Sequence, residues 1–157
     1  MALPLTVDTQ AIAANWRALK ERFTGRETAA VVKADAYGLG MVPIATALEK
    51  AGCHTFFVAT LEEALALARG AGGRAHPGPS PASAEGEEFA FEGHRIIPVL
   101  NSREQVARWK PVAARHVHAV SALHVDTGMG RLGLQPEDFA ALMKESPATL
   151  EECRVGW

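Results

Sequence analysis

The chain has 157 residues, of which 48% are hydrophobic and 22% charged, a balance typical of a globular protein that buries a core. Its net charge of -2 excludes the basic excess of a nucleic-acid-binding protein, and no apolar run approaches the roughly 20 residues that span a bilayer. The first residues lack a signal-peptide pattern, and two isolated cysteines, Cys53 and Cys153, lack metal-ligand spacing. Together these features predict a reduced, cytoplasmic protein without membrane or nucleic-acid partners.

The first half of the chain alternates between helix and strand patterns. Apolar residues within 12–23 recur at helical spacing, and the strand patterns are short apolar runs typical of strands buried on both faces. Thr60 and Glu63 form a capping-box pattern at the start of one helix. In chain order the patterns predict a helix over 8–23, a strand over 28–35, a helix over 42–51, a strand over 55–60 and a helix over 61–68.

Residues 70–93 interrupt this alternation. Their run 74–83, RAHPGPSPAS, consists of residues that break sheets and favour loops, so we expect irregular chain rather than a strand here. One explanation is a local frame change in the coding sequence that replaced a strand, because regular patterning resumes intact at residue 96. The alternative is a simple surface loop.

The second half returns to the same alternation. A strand over 96–101 is followed by Ser102, which caps a helix, and a strand over 123–127 is followed by a helix over 137–144 with Pro136 at its start. A repeated order of strand, capping residue and helix predicts an α/β fold with a parallel sheet.

The first motif with chemical content is residues 29–40, AAVVKADAYGLG, in which a buried strand ends on Lys33. An ammonium group is costly to bury, so this position needs a reason. A lysine in a mostly dry pocket loses its proton easily and can form a Schiff base with an aldehyde. The alternative is a lysine that caps the strand and extends to water.

The second motif is residues 123–134, LHVDTGMGRLGL, in which a strand runs into a glycine-rich turn that presents Arg131. Glycines let a backbone approach a ligand closely, and arginine pairs its fork of donors with oxyanions. The alternative for Arg131 is an ordinary surface salt bridge.

The two motifs, in this order, resemble those of alanine racemases, a fold-type III family that uses pyridoxal 5'-phosphate. The resemblance implies a (β/α)8 TIM-type barrel followed by a C-terminal β domain, a homodimer, and interconversion of L- and D-alanine that supplies D-alanine for peptidoglycan. It covers nearly the whole chain apart from 70–93, but only about the first half of that barrel. Nothing in these residues selects alanine over serine.

The resemblance also assigns roles to site residues. Lys33 holds the cofactor aldehyde and is the base on one face of the substrate, and Tyr37 binds the cofactor phosphate. Arg131 contacts the phenolic oxygen of the cofactor and orients the substrate. The alternative for Tyr37 is an amphipathic residue at a helix start, and we expect no metal site. His124 departs from the family, which often has a lysine there, carbamylated in some members; it is a family variant or a weaker support for the cofactor.

These features predict an incomplete alanine racemase N-terminal barrel domain over 1–157, irregular at 70–93. A full barrel needs about 250 residues. The family's second base is a tyrosine of the β domain, whereas Tyr37 is the only tyrosine here. We therefore expect a truncated chain that is inactive alone. The alternatives are a non-catalytic pyridoxal phosphate-binding protein of the cofactor-homeostasis type and an inert fragment that needs a separately encoded complement.

Overall fold

The computed structural model of the chain describes residues 5–25, 27–71, 74–77, 96–116 and 118–156, and it divides into two units, Met1–Ala75 and His76–Trp157. Each unit alternates short strands with helices. The first unit contains α1 Thr9–Arg22, β1 Ala30–Val31, α2 Lys33–Gly38, α3 Met41–Lys50, β2 Thr55–Val58 and α4 Leu61–Gly70, and β3 Arg74–Pro77 begins in it and ends in the second. The second contains β4 Val99–Leu100, α5 Arg103–Arg115, β5 Ala122–Leu123, α6 Pro136–Glu145 and α7 Thr149–Glu152.

Helix α1 begins where the sequence predicts, after Asp8. The carboxylate of Asp8 accepts hydrogen bonds from the backbone N–H groups of Gln10 (2.9 Å) and Ala11 (3.0 Å), which satisfies two donors at the start of α1. The helix buries Trp16 and leaves Lys20 on the outside, with its ammonium 5.0 Å from the centre of the Trp16 ring. The predicted helix over 8–23 is therefore confirmed.

The strands form a sheet in the order β1-β2-β3, in which β1 and β2 run parallel with Ala30 opposite Phe56. Phe56 is fully buried, and α3 packs against both α1 and α4. Strand β1 is shorter than the predicted 28–35, because the chain enters a tight turn at Lys33 instead of continuing in extended form.

The expectation that 70–93 holds no strand is wrong for residues Arg74–Pro77, which form β3 beside β2. Pairing with a neighbouring strand outweighs the weak strand propensity of this run, and Pro77 stands at the last position, where the chain leaves the sheet. Residues 78–95 lie outside the described part of the chain, so the alternatives for that segment stay open.

The second unit is built around the parallel pair β4 and β5, with Val99 opposite Ala122. Its core is a cluster of buried side chains from β4, α5, the segment before α6, α6 itself and the residue after α7, comprising Leu100, Val106, Trp109, Val112, Ala113, Leu134, Leu142 and Cys153. The indole N–H of Trp109 donates to the carbonyl of Cys153 at 3.1 Å, which ties α5 to the end of α7. The predicted strand over 123–127 is only partly formed, since Val125 instead makes an isolated bridge to Leu134.

Across the residues that the structure describes, no helix is both long enough and apolar enough to cross a membrane.

Candidate functional site

The Lys33 motif folds as a left-handed helical turn. Ala34, Asp35, Ala36 and Tyr37 all have φ between 51° and 57° and ψ between 36° and 48°, the mirror image of ordinary helix geometry. Each L-residue in this conformation costs about 1–2 kcal/mol, and such residues normally occur singly. Four in succession directly after Lys33 indicate a segment whose conformation the surrounding unit enforces.

Hydrogen bonds on both sides hold this turn in place. The N–H of Ala36 donates to the carbonyl of Val32, and the N–H of Gly40 donates to the carbonyl of Asp35, each at 2.9 Å. The Asp35 carboxylate accepts from the N–H of Met41 at 2.6 Å, which links the turn to the first residue of α3. Gly40 has φ 95°, a conformation that lets the chain leave the turn and enter α3.

The turn brings two of the predicted site residues together. Lys33, its first residue, is half-buried, and Tyr37, at its end, is 66% exposed. Both follow the carboxyl end of β1, the edge of a parallel sheet at which α/β proteins place their ligands. Tyr37 thus belongs to the turn rather than to the start of an ordinary helix.

Glu63 also belongs to this arrangement, a role that its predicted place in a capping box does not reveal. The Thr60 hydroxyl caps α4 as predicted, accepting from the N–H of Glu63 at 3.2 Å. The Glu63 carboxylate, however, accepts from the N–H of Ala34 with one oxygen and from that of Ala59 with the other, both at 2.7 Å. It therefore joins the Lys33 turn to the chain that leaves β2.

The second motif, in the second unit, is organised by Asp126. This buried carboxylate accepts hydrogen bonds from three consecutive N–H groups and one amide side chain: Gly128 (2.9 Å), Met129 (2.8 Å), Gly130 (2.7 Å) and Gln135 Nε2 (3.2 Å). These contacts fold the glycine-rich segment around one anion. The sequence signal for this role was an aspartate at a strand end followed by glycines, which is typical of Asx turns.

Arg131 lies exposed on this segment, in the second unit, whereas Lys33 and Tyr37 belong to the first. Its guanidinium lies 3.3 Å from the Met129 sulfur, and the ion pairs found among the described residues do not include it. The salt-bridge alternative for Arg131 therefore gains no support from the described part of the chain.

His124 is fixed by Asn101 at the carboxyl ends of β4 and β5. The Asn101 amide nitrogen donates to the carbonyl of Val99 at 2.7 Å, which directs its oxygen to His124 Nδ1 at 2.8 Å. Nδ1 must therefore be the protonated nitrogen of this contact. A neutral imidazole so placed offers an acceptor at Nε2 and no negative charge, unlike a lysine carbamate.

We expect the Asp126 contribution to stability to depend on pH. The N–H of Gly128, followed by Gln135, Met129 and Gly130, lowers the pKa of Asp126 and outweighs the opposing effect of burial. Since the pKa is depressed on folding, the stabilisation is fully present above the unfolded value of about 3.9 and is lost as the pH falls through the folded pKa. The difference in unfolding free energy between the native chain and Asp126→Asn should therefore be constant at neutral pH and shrink as the pH falls below about 3.9 toward the lower folded pKa of Asp126.

Urea titrations at a series of pH values measure this difference. Asp138→Asn is the matched control, because Asp138 is exposed on the first turn of α6. If the difference in unfolding free energy between the native chain and Asp126→Asn stayed constant down to the lowest pH at which the native chain is folded, this expectation would be wrong.

Groups of three or more potential metal ligands are absent from the described ranges, including the region of His116 and His118. The described strand ends carry an amine, a phenol, a guanidinium and an imidazole, while the carboxylates of Asp35, Glu63 and Asp126 are each taken up by backbone N–H groups. This set of groups suits an aldehyde and oxyanions better than a cation.

The fold and these strand ends define a class of α/β proteins in which parallel strand–helix units present a lysine on one turn and an arginine on another. The chain belongs to the alanine racemase family, since residues 7–155 match the family model "Alanine racemase, N-terminal domain". Among curated relatives, the alanine racemase of Acidiphilium cryptum is 50% identical over 139 residues, covering 88% of this chain and 38% of the relative. That of Rhizobium meliloti is 46% identical over 141 residues, covering 88% and 36%. The chain thus spans less than two fifths of these relatives.

Solved structures also place the chain with alanine racemases. The alanine racemase from Bartonella henselae, described with covalently bound pyridoxal phosphate, superposes with a TM-score of 0.80 and 36% identity, covering 95% of this chain and 42% of that one. The alanine racemase from Streptomyces coelicolor superposes with a TM-score of 0.78 and 33% identity. The family resemblance drawn from the two motifs is therefore confirmed.

Proposed function

We propose that this chain forms the lysine-bearing part of a pyridoxal 5'-phosphate-dependent alanine racemase, which interconverts L- and D-alanine and supplies D-alanine for the cell wall. The observation that carries the proposal is the left-handed turn that presents Lys33 and Tyr37 together at the carboxyl edge of a parallel sheet. The family membership and the Bartonella relative with its covalently bound cofactor support it.

We also propose that the strand–helix units are the first part of a (β/α)8 barrel, within a homodimer whose C-terminal β domain lies outside these 157 residues. The sequential order β1-β2-β3 and the parallel pair β4 and β5 support this arrangement, because a barrel of this type adds its strands in chain order. Cys53 and Cys153 are buried free thiols, which suits a reducing, cytoplasmic setting.

The residues of the first unit fit pyridoxal phosphate. An amine for the aldehyde and a hydroxyl for the phosphate stand on one turn, Lys33 at its start and Tyr37 near its end. A Cβ built on Gly38 would meet no heavy atom within 4 Å, so this end of the turn is open to an incoming group. In the second unit, Arg131 provides a permanently charged donor for the phenolic oxygen.

In the proposed mechanism, the bound cofactor supplies an electron sink for the carbanion that forms when the α-proton of alanine leaves. Lys33 Nζ would hold the aldehyde until the amino group of the substrate displaces it, and the amine so freed would take the proton from Cα on one face and return it. The Tyr37 hydroxyl would donate to the phosphate. The Arg131 guanidinium would hold the phenolic oxygen and orient the substrate. Tyr37 is the only tyrosine of the chain, so a second tyrosine that acts on the opposite face would have to come from outside these residues.

Isotope exchange tests this proposal. The purified chain is incubated with pyridoxal phosphate and then with L- or D-alanine in deuterated water, and deuterium at Cα is measured together with conversion between the enantiomers. A base on one face only predicts Cα exchange of one enantiomer without net conversion. Cofactor binding without exchange of either enantiomer would instead favour the non-catalytic carrier, and failure to bind the cofactor would favour the inert fragment.

A further inference from the structure

We propose that Glu63 is a positioning residue for Lys33, acting through the backbone N–H of Ala34. This inference rests on the proposed function of Lys33 and assigns a new role to Glu63, which lies 29 positions beyond Ala34 in the chain. The two bonds of the Glu63 carboxylate, to Ala34 and to Ala59, cross from α4 to the segments that leave β1 and β2.

The Ala34 contact acts at the point where the turn begins. Ala34 is the first of the four residues with positive φ, and its N–H belongs to the peptide unit that also contains the Lys33 carbonyl. An anchor on that peptide unit restricts ψ of Lys33 and thus the direction of its side chain. Hydrogen bonds from N–H groups to a carboxylate are about twice as strong as neutral ones, which suits a segment held in a costly conformation.

The second unit shows what a neutral residue does at the matching position. Gln105 is the third residue of α5, as Glu63 is of α4, and each follows a hydroxyl that caps its N–H. The Gln105 side-chain oxygen accepts from the N–H of Asn101, just as Glu63 accepts from the N–H of Ala59. A side-chain amide oxygen at this helix position is therefore sufficient to accept the N–H of the residue before the N-cap. A carboxylate is needed at 63 because its second oxygen has a second donor, Ala34, to satisfy.

Glu63→Gln consequently separates the two contacts. The new amide oxygen can still accept from Ala59, as Gln105 does from Asn101, while its NH2 group would face the N–H of Ala34 without an acceptor between them. We expect native-state hydrogen exchange at the Ala34 amide to accelerate by about tenfold, with little change at Ala59. We also expect attachment of pyridoxal phosphate to Lys33, trapped by borohydride and located by peptide mapping, to slow by about tenfold.

Glu62→Gln is the matched control, since it removes the same charge from the first turn of α4 at an exposed position. It should leave both amides and the Lys33 reaction unchanged. If Glu63→Gln does not fold, Glu63→Asp keeps the charge but shortens the side chain by one methylene, and faster exchange at Ala34 together with a slower Lys33 reaction is then the expected result.

Unchanged exchange at Ala34, or faster exchange with an unchanged Lys33 reaction rate, would overturn the inference. Reductive methylation of Lys33 by formaldehyde serves as a second rate measurement that needs no cofactor. A native chain that takes up no pyridoxal phosphate refutes the proposed function, whereas the Glu63 claim is then decided by the methylation rate and by exchange at Ala34.

Discussion

Lys33→Ala is expected to abolish covalent attachment of pyridoxal phosphate to this chain. The Lys33 side chain is the amine at the start of the left-handed turn, and an imine with the cofactor aldehyde needs a primary amine. Borohydride reduction followed by peptide mapping should find the adduct on the peptide that contains Lys33 in the native chain and on no peptide in the variant. The visible absorbance of the bound cofactor should disappear with it.

Lys50→Ala is the matched control, because Lys50 is an exposed lysine in the last turn of α3 within the same unit. It should retain the full yield of adduct. Lys33→Arg keeps the positive charge but cannot form an imine, so it should behave like Lys33→Ala. An undiminished adduct in either Lys33 variant would show that attachment occurs at another amine and would refute the assigned role.

Gly133→Ala is expected to destabilise the second unit by about 2–4 kcal/mol. Gly133 has φ 100°, a conformation that L side chains rarely adopt, and an added Cβ would lie 2.9 Å from the backbone nitrogen of Asp126. It would also lie 3.1 Å from the His124 ring, so relief by backbone movement would disturb the contact with Asn101. Urea unfolding measures the loss.

Gly130→Ala is the control in the same segment. Gly130 has φ 68° but nothing within 4 Å of an added Cβ, so only the cost of a left-handed alanine remains, about 1 kcal/mol. The difference between the two variants therefore isolates the close approach of Gly133 to Asp126. Equal losses in the two variants would mean that this approach contributes nothing to stability.

Local signals account for the parts of the fold that the sequence predicts well. Asp8, Thr60 and Ser102 each cap the helix that follows them, and Pro136 stands at the start of α6, because capping depends on the few residues nearest the helix end. Strand lengths and β3 are predicted less well, since strand pairing depends on residues that are distant in sequence.

The candidate site also has features that local sequence predicts and features that depend on residues distant in sequence. The four-residue spacing of Lys33 and Tyr37 places both on one segment, and the strand before them places that segment at the edge of a sheet. The sign of φ at Ala34 and its neighbours has no sequence signal, because these residues adopt right-handed geometry in most contexts. The hydrogen bond from the N–H of Ala34 to Glu63 also has no sequence signal, because it depends on where α4 packs rather than on local spacing.

The left-handed turn also changes which substitutions the chain can accept. Ala34 and Asp35 are exposed, and at an ordinary exposed site almost any residue is allowed. Here valine, isoleucine and threonine are excluded by their branched Cβ, whereas glycine and asparagine fit the backbone without penalty or at small cost. Sequence variation at Ala34 is therefore governed by chirality rather than by contact with water or with the protein interior, and at Asp35 the hydrogen bond to the N–H of Met41 adds a second constraint.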